Sequence, residues 1–270
     1  MGSGLEVFTL YLALGVLAGV VAGLFGIGGG AVVVPVLIVA YTISGYDPVW
    51  LTHLAMGTSL ATISVTSFSA IVAHQQKRAV LWPLVFSMVP GIILGAMLGG
   101  LLAGQLDGRL LQICFGIFLV SIAVQMNRRN VGSGKKQLPS VATRLSVAGL
   151  IGGLSGIFGI GGGSLTVPFF SWCGIPMARA VACSAALGFP ISVSAALTYI
   201  ATGWAQQGLP AGAYGYVHVP AFFGIILTST VFARVGAKWA HLLPEIGLQR
   251  AFAVTAFALG LVFIVSNIGI

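Results

Sequence analysis

The sequence predicts an all-α, polytopic membrane protein made of two inverted-topology repeats of five helical elements each. Three observations carry that expectation: a composition too apolar for a water-facing surface, a glycine-rich stretch that occurs twice, and cations that follow the alternation of the loops. Of the 270 residues, 58% are hydrophobic and 6% charged, against about a quarter charged in a soluble domain. Such a chain cannot cover itself with a hydrated surface and must be solvated by lipid. The formal net charge of +8 is confined to a few loops, so it reads as topology rather than as a nucleic-acid surface.

Taken in order, apolar runs suited to helices fall at about 5–25, 31–45, 49–73, 80–104 and 109–127. A polar segment follows, with Arg128, Arg129, Lys135 and Lys136 among Gly132, Gly134 and Pro139. It has linker composition and marks the midpoint. The second half offers runs at about 144–158, 164–174, 177–202, 214–233 and 248–267. The expected organisation is a first transmembrane repeat over 1–127, a basic cytoplasmic linker over 128–143 and a second repeat over 144–270. A spanning helix needs roughly 20 apolar residues, and the second and seventh runs fall short. Each forms either a full crossing or one leg of a broken helical hairpin, giving eight full spans plus two hairpins, or ten spans.

Charge orients the chain, because a hairpin and a pair of crossings have the same parity. With the loops numbered alternately from outside, Lys77, Arg78, Arg128, Arg129, Lys135, Lys136, Arg144, Arg179, Arg234, Lys238 and Arg250 all fall inside. Of the twelve Lys and Arg residues, Arg109 alone falls outside. The positive-inside rule asks for this asymmetry. The protein is expected in the inner (cytoplasmic) cell membrane, multi-pass, with both termini external. The N-terminus lacks a basic region and a small-residue cleavage site, so no removable signal peptide is expected.

The doubled stretch is Gly23-Leu24-Phe25-Gly26-Ile27-Gly28-Gly29-Gly30, running on to Pro35, and Gly156-Ile157-Phe158-Gly159-Ile160-Gly161-Gly162-Gly163, running on to Pro168. The register is constant: 159 − 26 = 133 and 168 − 35 = 133. Five elements per half is an odd number, so the second half must enter the membrane from the opposite face. Ala55-Met56-Gly57-Thr58-Ser59-Leu60 aligns with Ala182-Cys183-Ser184-Ala185-Ala186-Leu187, and Pro90 and Pro220 recur within their runs.

Three consecutive glycines cost a helix roughly 1 kcal/mol each relative to Ala. Irregular backbone at membrane depth is tolerated where it is buried in protein or lines a cavity. Unwinding at Gly28, Gly29 and Gly30, and at Gly161, Gly162 and Gly163, leaves N–H groups at the start of the next helical segment. Such a start carries partial positive charge and binds oxyanions. Thr58, Ser59, Ser164 and Thr166 could add hydroxyl donors. Two breaks meeting near the midplane would bind an anion with no buried Lys or Arg.

The doubled G-x-G-G-G-x4-P pattern, the basic central loop and the Ala-x-Gly-Thr-Ser-Leu stretch resemble the TauE/SafE family of sulfite exporter-type permeases. The resemblance covers about residues 10–265. It implies a bacterial or archaeal inner-membrane transporter of small sulfur-containing anions such as sulfite or organosulfonates, working in either direction. One departure is Cys183-Ser184-Ala185-Ala186, where the first half has Met56-Gly57-Thr58-Ser59.

Other features read more plainly. The scattered glycines Gly15, Gly91, Gly95, Gly99 and Gly100 suit close helix packing. Gly26-x-Gly28-x-x-Ala31 matches a dinucleotide loop in letters only, because its flanks are membrane-length apolar runs and not a βαβ unit. Of the four histidines, His218 alone is expected inside a span, early in the ninth run. Trp50, Trp82, Trp172, Trp204 and Trp239 lie near element ends as interfacial anchors. Cys114, Cys173 and Cys183 show no metal or pairing pattern, and Cys183 is expected to be a small hydrophobe. Without paired carboxylates, ligand clusters or a nucleophile–base pair, no enzyme and no cofactor is expected. The expected partners are the small anion and the lipid bilayer, with a homodimer left open and no nucleic acid. The alternative function is a channel or facilitator for another small anion or a neutral solute.

Overall fold

The computed structural model describes residues 4–25, 30–127, 138–240 and 245–268. Nearly all of them are helical. The order is α1 (Gly4–Phe25), α2 (Gly30–Ile43), α3 (Pro48–Gln76), α4 (Trp82–Gln105), α5 (Gly108–Asn127), α6 (Val141–Phe158), α7 (Gly163–Trp172), α8 (Met177–Gly203), α9 (Val219–Ala240) and α10 (Glu245–Ile268). Between α8 and α9, β1 (Ala213–Tyr214) and β2 (Val217–His218) pair antiparallel. The ninth run was expected to be helical from residue 214; its start is this small hairpin instead, turning at Gly215 with φ 55°. α6 begins at Val141, inside the stretch expected as linker, because Ser140 caps it by accepting from the Thr143 amide.

By length and composition α3, α4, α5, α6 and α8 can each cross a bilayer, and shorter apolar helices lie at Phe8–Val20, Gly30–Ile43, Val219–Ala233 and Ala253–Ile268. The surface agrees: Leu94, Leu150, Leu197 and Val254 are 64, 69, 60 and 68% exposed, which only lipid can satisfy. The chain is a polytopic helical membrane protein.

Two helices are much shorter than the rest, α2 with 14 residues and α7 with 10. Neighbouring contacts show that each turns back. Along α6, residues Gly149 and Gly153 approach Gly95 and Gly99 of α4, so both helices advance together. Along α7 the order reverses against α8, with Gly162 beside Ile191 and Thr166 beside Ser184. α1 likewise advances with α9, Gly15 lying at Ile225 and Gly19 at Ser229. α2 then runs back along α3, from Gly30 near Ile63 to Tyr41 on Thr58. Each short helix therefore leaves its hairpin at the end where the long one entered, and the two hairpins enter from opposite ends.

The principal helix contacts pair α1 with α9, α4 with α6, α3 with α8 and α5 with α10. Small residues make this possible. A Cβ on Gly95 would overlap the Gly149 carbonyl, and one on Gly99 the Gly153 carbonyl, so the backbones of α4 and α6 touch. The scattered glycines are packing residues.

Candidate functional site

The second glycine break is fully described. α6 ends at Gly159 in the left-handed conformation, φ 69°, and the Ile160 amide folds back onto the Ser155 carbonyl at 3.1 Å. A side chain at Gly159 would meet the Met56 backbone at 2.8 Å, so conformation and space both demand glycine. The chain turns again at Gly162, φ 73°. The Gly162 carbonyl accepts from the Leu165 and Thr166 amides and from the Thr166 hydroxyl, at 3.0, 2.8 and 2.8 Å. The amides of Gly163 and Ser164 thus open α7 with no acceptor within the helix.

The start of α2 faces this break. A Cβ on Gly30 would lie 2.8 Å from the Ile160 Cα and 3.2 Å from the Gly159 carbonyl oxygen. Gly28 and Gly29 lie outside the described residues. Ser59 fastens the same point from α3, donating to the Gly159 carbonyl at 2.8 Å.

Along α3, the side of the break towards Gln76 holds a cavity of about 290 Å³. Gly161 and Gly163 form its head, and Thr62, Ser67, Ser184 and Ser229 bring hydroxyls from α3, α8 and α9. The remaining wall is mostly apolar, including Val33, Ile63, Val167 and Ile225, and His74 stands at the far end. From Thr62 to His74 is about 18 Å at the rise of an α-helix. No Lys, Arg, Asp or Glu lines the cavity among the described residues. Lys77, Arg78 and Arg179 are exposed at the end of the molecule towards which it runs.

The hydroxyl protons are unequally spoken for. Thr62 gives its proton to the Thr58 and Ser59 carbonyls, and Thr166 gives its proton to Gly162 and so accepts from Ser184. Ser229, 7% exposed, has a buried hydroxyl with no partner among the described residues. Ser155, fully buried, is in the same state, and its oxygen lies 3.4 Å from where a Cβ of Gly162 would be. A buried hydroxyl without a partner costs about 1–3 kcal/mol, and Ser155 lies outside the cavity lining.

On the other side of the break the molecule is closed by an aromatic cluster. His218 is ringed by Tyr11, Tyr41 and Tyr46, with centroids 5.6, 5.7 and 5.5 Å away. Tyr46 joins its hydroxyl to Tyr11 at 3.2 Å and to His218 Nε2 at 3.3 Å. Thr58 accepts from the Tyr41 hydroxyl at 3.2 Å and from the His218 amide at 2.9 Å. The Ala221 amide donates to His218 Nδ1 at 3.4 Å.

Of the residues singled out from sequence, Gly161 and Gly163 line the cavity, Gly162 shapes the turn beneath it, and Ser164 supplies an amide at the start of α7. Gly30 packs on Ile160 and Ser59 bonds to Gly159, Thr166 ties the start of α7 to Gly162 and to Ser184 of α8, and Thr58 belongs to the aromatic closure. Ser67, Ser229 and Ser155 went unnoticed because single serines in apolar runs carry no pattern. His218 is the last residue of β2, just before the helix it was expected to lie within. His53 is structural: its Nε2 meets the Ala103 and Leu106 carbonyls at 3.1 Å each, and its ring stacks on Tyr216. His241 lies outside the described residues. The buried Cys183 sulfur accepts from the Leu81 amide. Among the described residues no three His, Cys, Asp or Glu could hold a metal ion.

The chain is similar to known membrane proteins over nearly its full length. A probable membrane transporter protein of Haemophilus influenzae is 34% identical over 250 residues, covering 91% of this chain and 93% of the relative. One from Methanocaldococcus jannaschii is 28% identical, covering 85% of each. YunE of Bacillus subtilis, also named a probable membrane transporter protein, is 28% identical and covers 89% of this chain and 94% of its own length. No solved structure matches. The family model described as Sulfite exporter TauE/SafE matches residues 11–263. With the glycine breaks and the helical membrane fold, that match places the chain in the TauE/SafE sulfite exporter family of membrane transporters.

Proposed function

We propose that this protein carries small sulfur-containing anions, of the sulfite or short organosulfonate type, across the inner cell membrane by alternating access. The anion binds against the two glycine breaks, and both termini face outward. The observation that carries this reading is the cavity of about 290 Å³ at the second break, where a helix start and an unpartnered buried hydroxyl supply donors without a cation. Its size suits a small anion, at the low end of the ~300–1,000 Å³ of ligand pockets. Lys77, Arg78 and Arg179 would concentrate anions at its mouth. The aromatic closure above the break favours a carrier with one open side over a continuous pore.

The test is flux of labelled sulfite and isethionate in proteoliposomes. A carrier gives saturable exchange, and Gly162→Val abolishes it while leaving a folded protein, because a branched side chain fits neither φ 73° nor the space beside Ile191. Non-saturating conductance would replace the carrier by a channel. An absence of flux and binding for every sulfur anion tried would remove the reading altogether.

A further inference from the structure

We infer that the cavity at the second break, the open chamber of this structure, has a counterpart on the opposite side of the breaks, and that the β1–β2 hairpin fills it as a movable plug. The two halves of the chain pack alike: α1 lies on α9 as α6 lies on α4. Ala55–Leu60 of α3 match Ala182–Leu187 of α8 at an offset of 127 (182 − 55). On α8 the chamber is lined by Val181, Ser184 and Ala185. At that offset their counterparts on α3 are Leu54, Gly57 and Thr58. All three are buried, and the hairpin covers two of them. A Cβ on Gly57 would overlap the Tyr216 carbonyl, and the Thr58 hydroxyl oxygen accepts from the His218 amide at 2.9 Å.

The other wall agrees. Along α3 the open chamber ends at His74, whose counterpart at the same offset is Ala201 on α8. The hairpin lies against that stretch. The Tyr199 carbonyl accepts from the Tyr216 amide at 3.2 Å, and Cβ atoms on Gly203 and Gly215 would run into the Tyr216 amide and the Ile200 carbonyl. The hairpin is thus wedged between α3 and α8 on one side of the breaks, as the chamber lies between them on the other. The first half has no such segment: residues 77–81 join α3 to α4, whereas 204–218 join α8 to α9. An insertion seated where the repeat calls for a chamber acts as a plug. A pair of two-residue strands has little stability of its own, so these few contacts decide whether it stays. Its withdrawal exposes the breaks to the face opposite the chamber mouth, the step by which a carrier alternates; that role rests on the function proposed above.

Labelling of single cysteines in membrane vesicles, with an impermeant methanethiosulfonate added to one face or the other, tests this without any substrate. In a cysteine-free background Val181→Cys should react from the face that bears Lys77 and Arg179. Leu54→Cys should react only from the opposite face, and at least about tenfold more slowly, because the plug is seated most of the time. Tyr216→Ala removes the ring stacked on His53 at 4.9 Å and should speed the Leu54→Cys reaction by at least about tenfold, leaving that of Val181→Cys unchanged. Gly215→Ala, strained at φ 55° and pressed on the Ile200 carbonyl, should do the same by a separate route. A collapsed variant would betray itself by labelling Val181→Cys from both faces. If Leu54→Cys reacts no faster in a folded variant, or reacts from the same face as Val181→Cys, the plug is overturned. Absence of flux for every sulfur anion would remove the transport reading and leave the labelling result standing.

Discussion

Ser59 on α3 donates a 2.8 Å hydrogen bond to the carbonyl of Gly159, one hundred residues later in the chain. That bond satisfies a carbonyl left over where α6 ends, and it couples the first repeat's third element to the second repeat's break. Both partners are fully or nearly fully buried, so neither has water as an alternative. Ser59→Ala should therefore cost about 1–3 kcal/mol, the penalty of orphaning a buried acceptor. Thermal unfolding in detergent should show a lowered midpoint, and the anion should bind more weakly because the start of α7 loses its anchor. An unchanged midpoint would mean that the break is held by packing alone.

Thr58 sits one residue earlier and serves the other compartment. Its oxygen takes the Tyr41 hydroxyl and the His218 amide, joining α2, α3 and the β-hairpin above the break. Thr58→Val preserves shape and removes the acceptor, leaving a buried amide and a buried phenol unpaired, at about 1–3 kcal/mol. Tyr46→Phe is milder, losing only the hydroxyl contacts at 3.2 and 3.3 Å, about 0.5–1.5 kcal/mol. Because the cluster lies outside the chamber, Tyr46→Phe should change exchange rate in proteoliposomes while leaving anion affinity unaltered. Equal rates for Tyr46→Phe and the parent would show that opening this side is not rate-limiting.

Much of this arrangement was legible in the chain. The short second and seventh runs became α2 and α7, with 14 and 10 residues, while the length of an apolar run leaves crossing and turning back undivided and only the helix directions separate them. The glycine repeat located the breaks, since three glycines in an apolar run have no other cheap use than unwinding or close approach. The individual roles were harder to read. Gly159 and Gly162 take positive φ, whereas Gly161 and Gly163 do not, and nothing in a run of glycines distinguishes them. Tyr11, Tyr41, Tyr46 and His218 come from three separate segments and meet only through the hairpin topology. The β-hairpin at 213–218 hid in an apolar stretch because its residues, Ala, Tyr, Gly, Tyr, Val and His, suit a helix terminus as well as a strand pair.

The placement of the cations makes a prediction about sidedness. Lys77, Arg78 and Arg179 share one end of the described structure, and Arg109 lies at the other, its guanidinium donating to the Asn267 carbonyl at 2.9 Å. If the basic end is cytoplasmic, a single cysteine introduced at residue 2 or 269 of a cysteine-free background should react with an impermeant maleimide applied from outside. One at Gly134 should react only after the membrane is permeabilised. Labelling of Gly134→Cys in intact cells would reverse the orientation and put the chamber mouth on the exterior.

The α4–α6 interface separates packing glycines from dispensable ones within a single pair of helices. A Cβ on Gly95 would run into the Gly149 carbonyl, whereas a Cβ on Gly149 finds nothing nearer than the Gly91 carbonyl oxygen at 3.8 Å. The difference follows from Cβ direction: the two helices run side by side, and only one of the two residues aims its missing side chain at the partner backbone. Gly95→Ala must therefore push α4 and α6 apart, with an overpacking cost of about 1–3 kcal/mol. Gly149→Ala keeps the contact and gains helix propensity, up to about 1 kcal/mol. Size-exclusion profiles and unfolding midpoints of the two variants in the same detergent should move in opposite directions. Because α6 carries the break that ends at Gly159, displacing it also displaces the start of α7, so Gly95→Ala should weaken anion binding from outside the chamber. If both alanines are tolerated alike, the close approach of the two backbones is incidental, and the position of the break depends on Ser59 and Met56 instead.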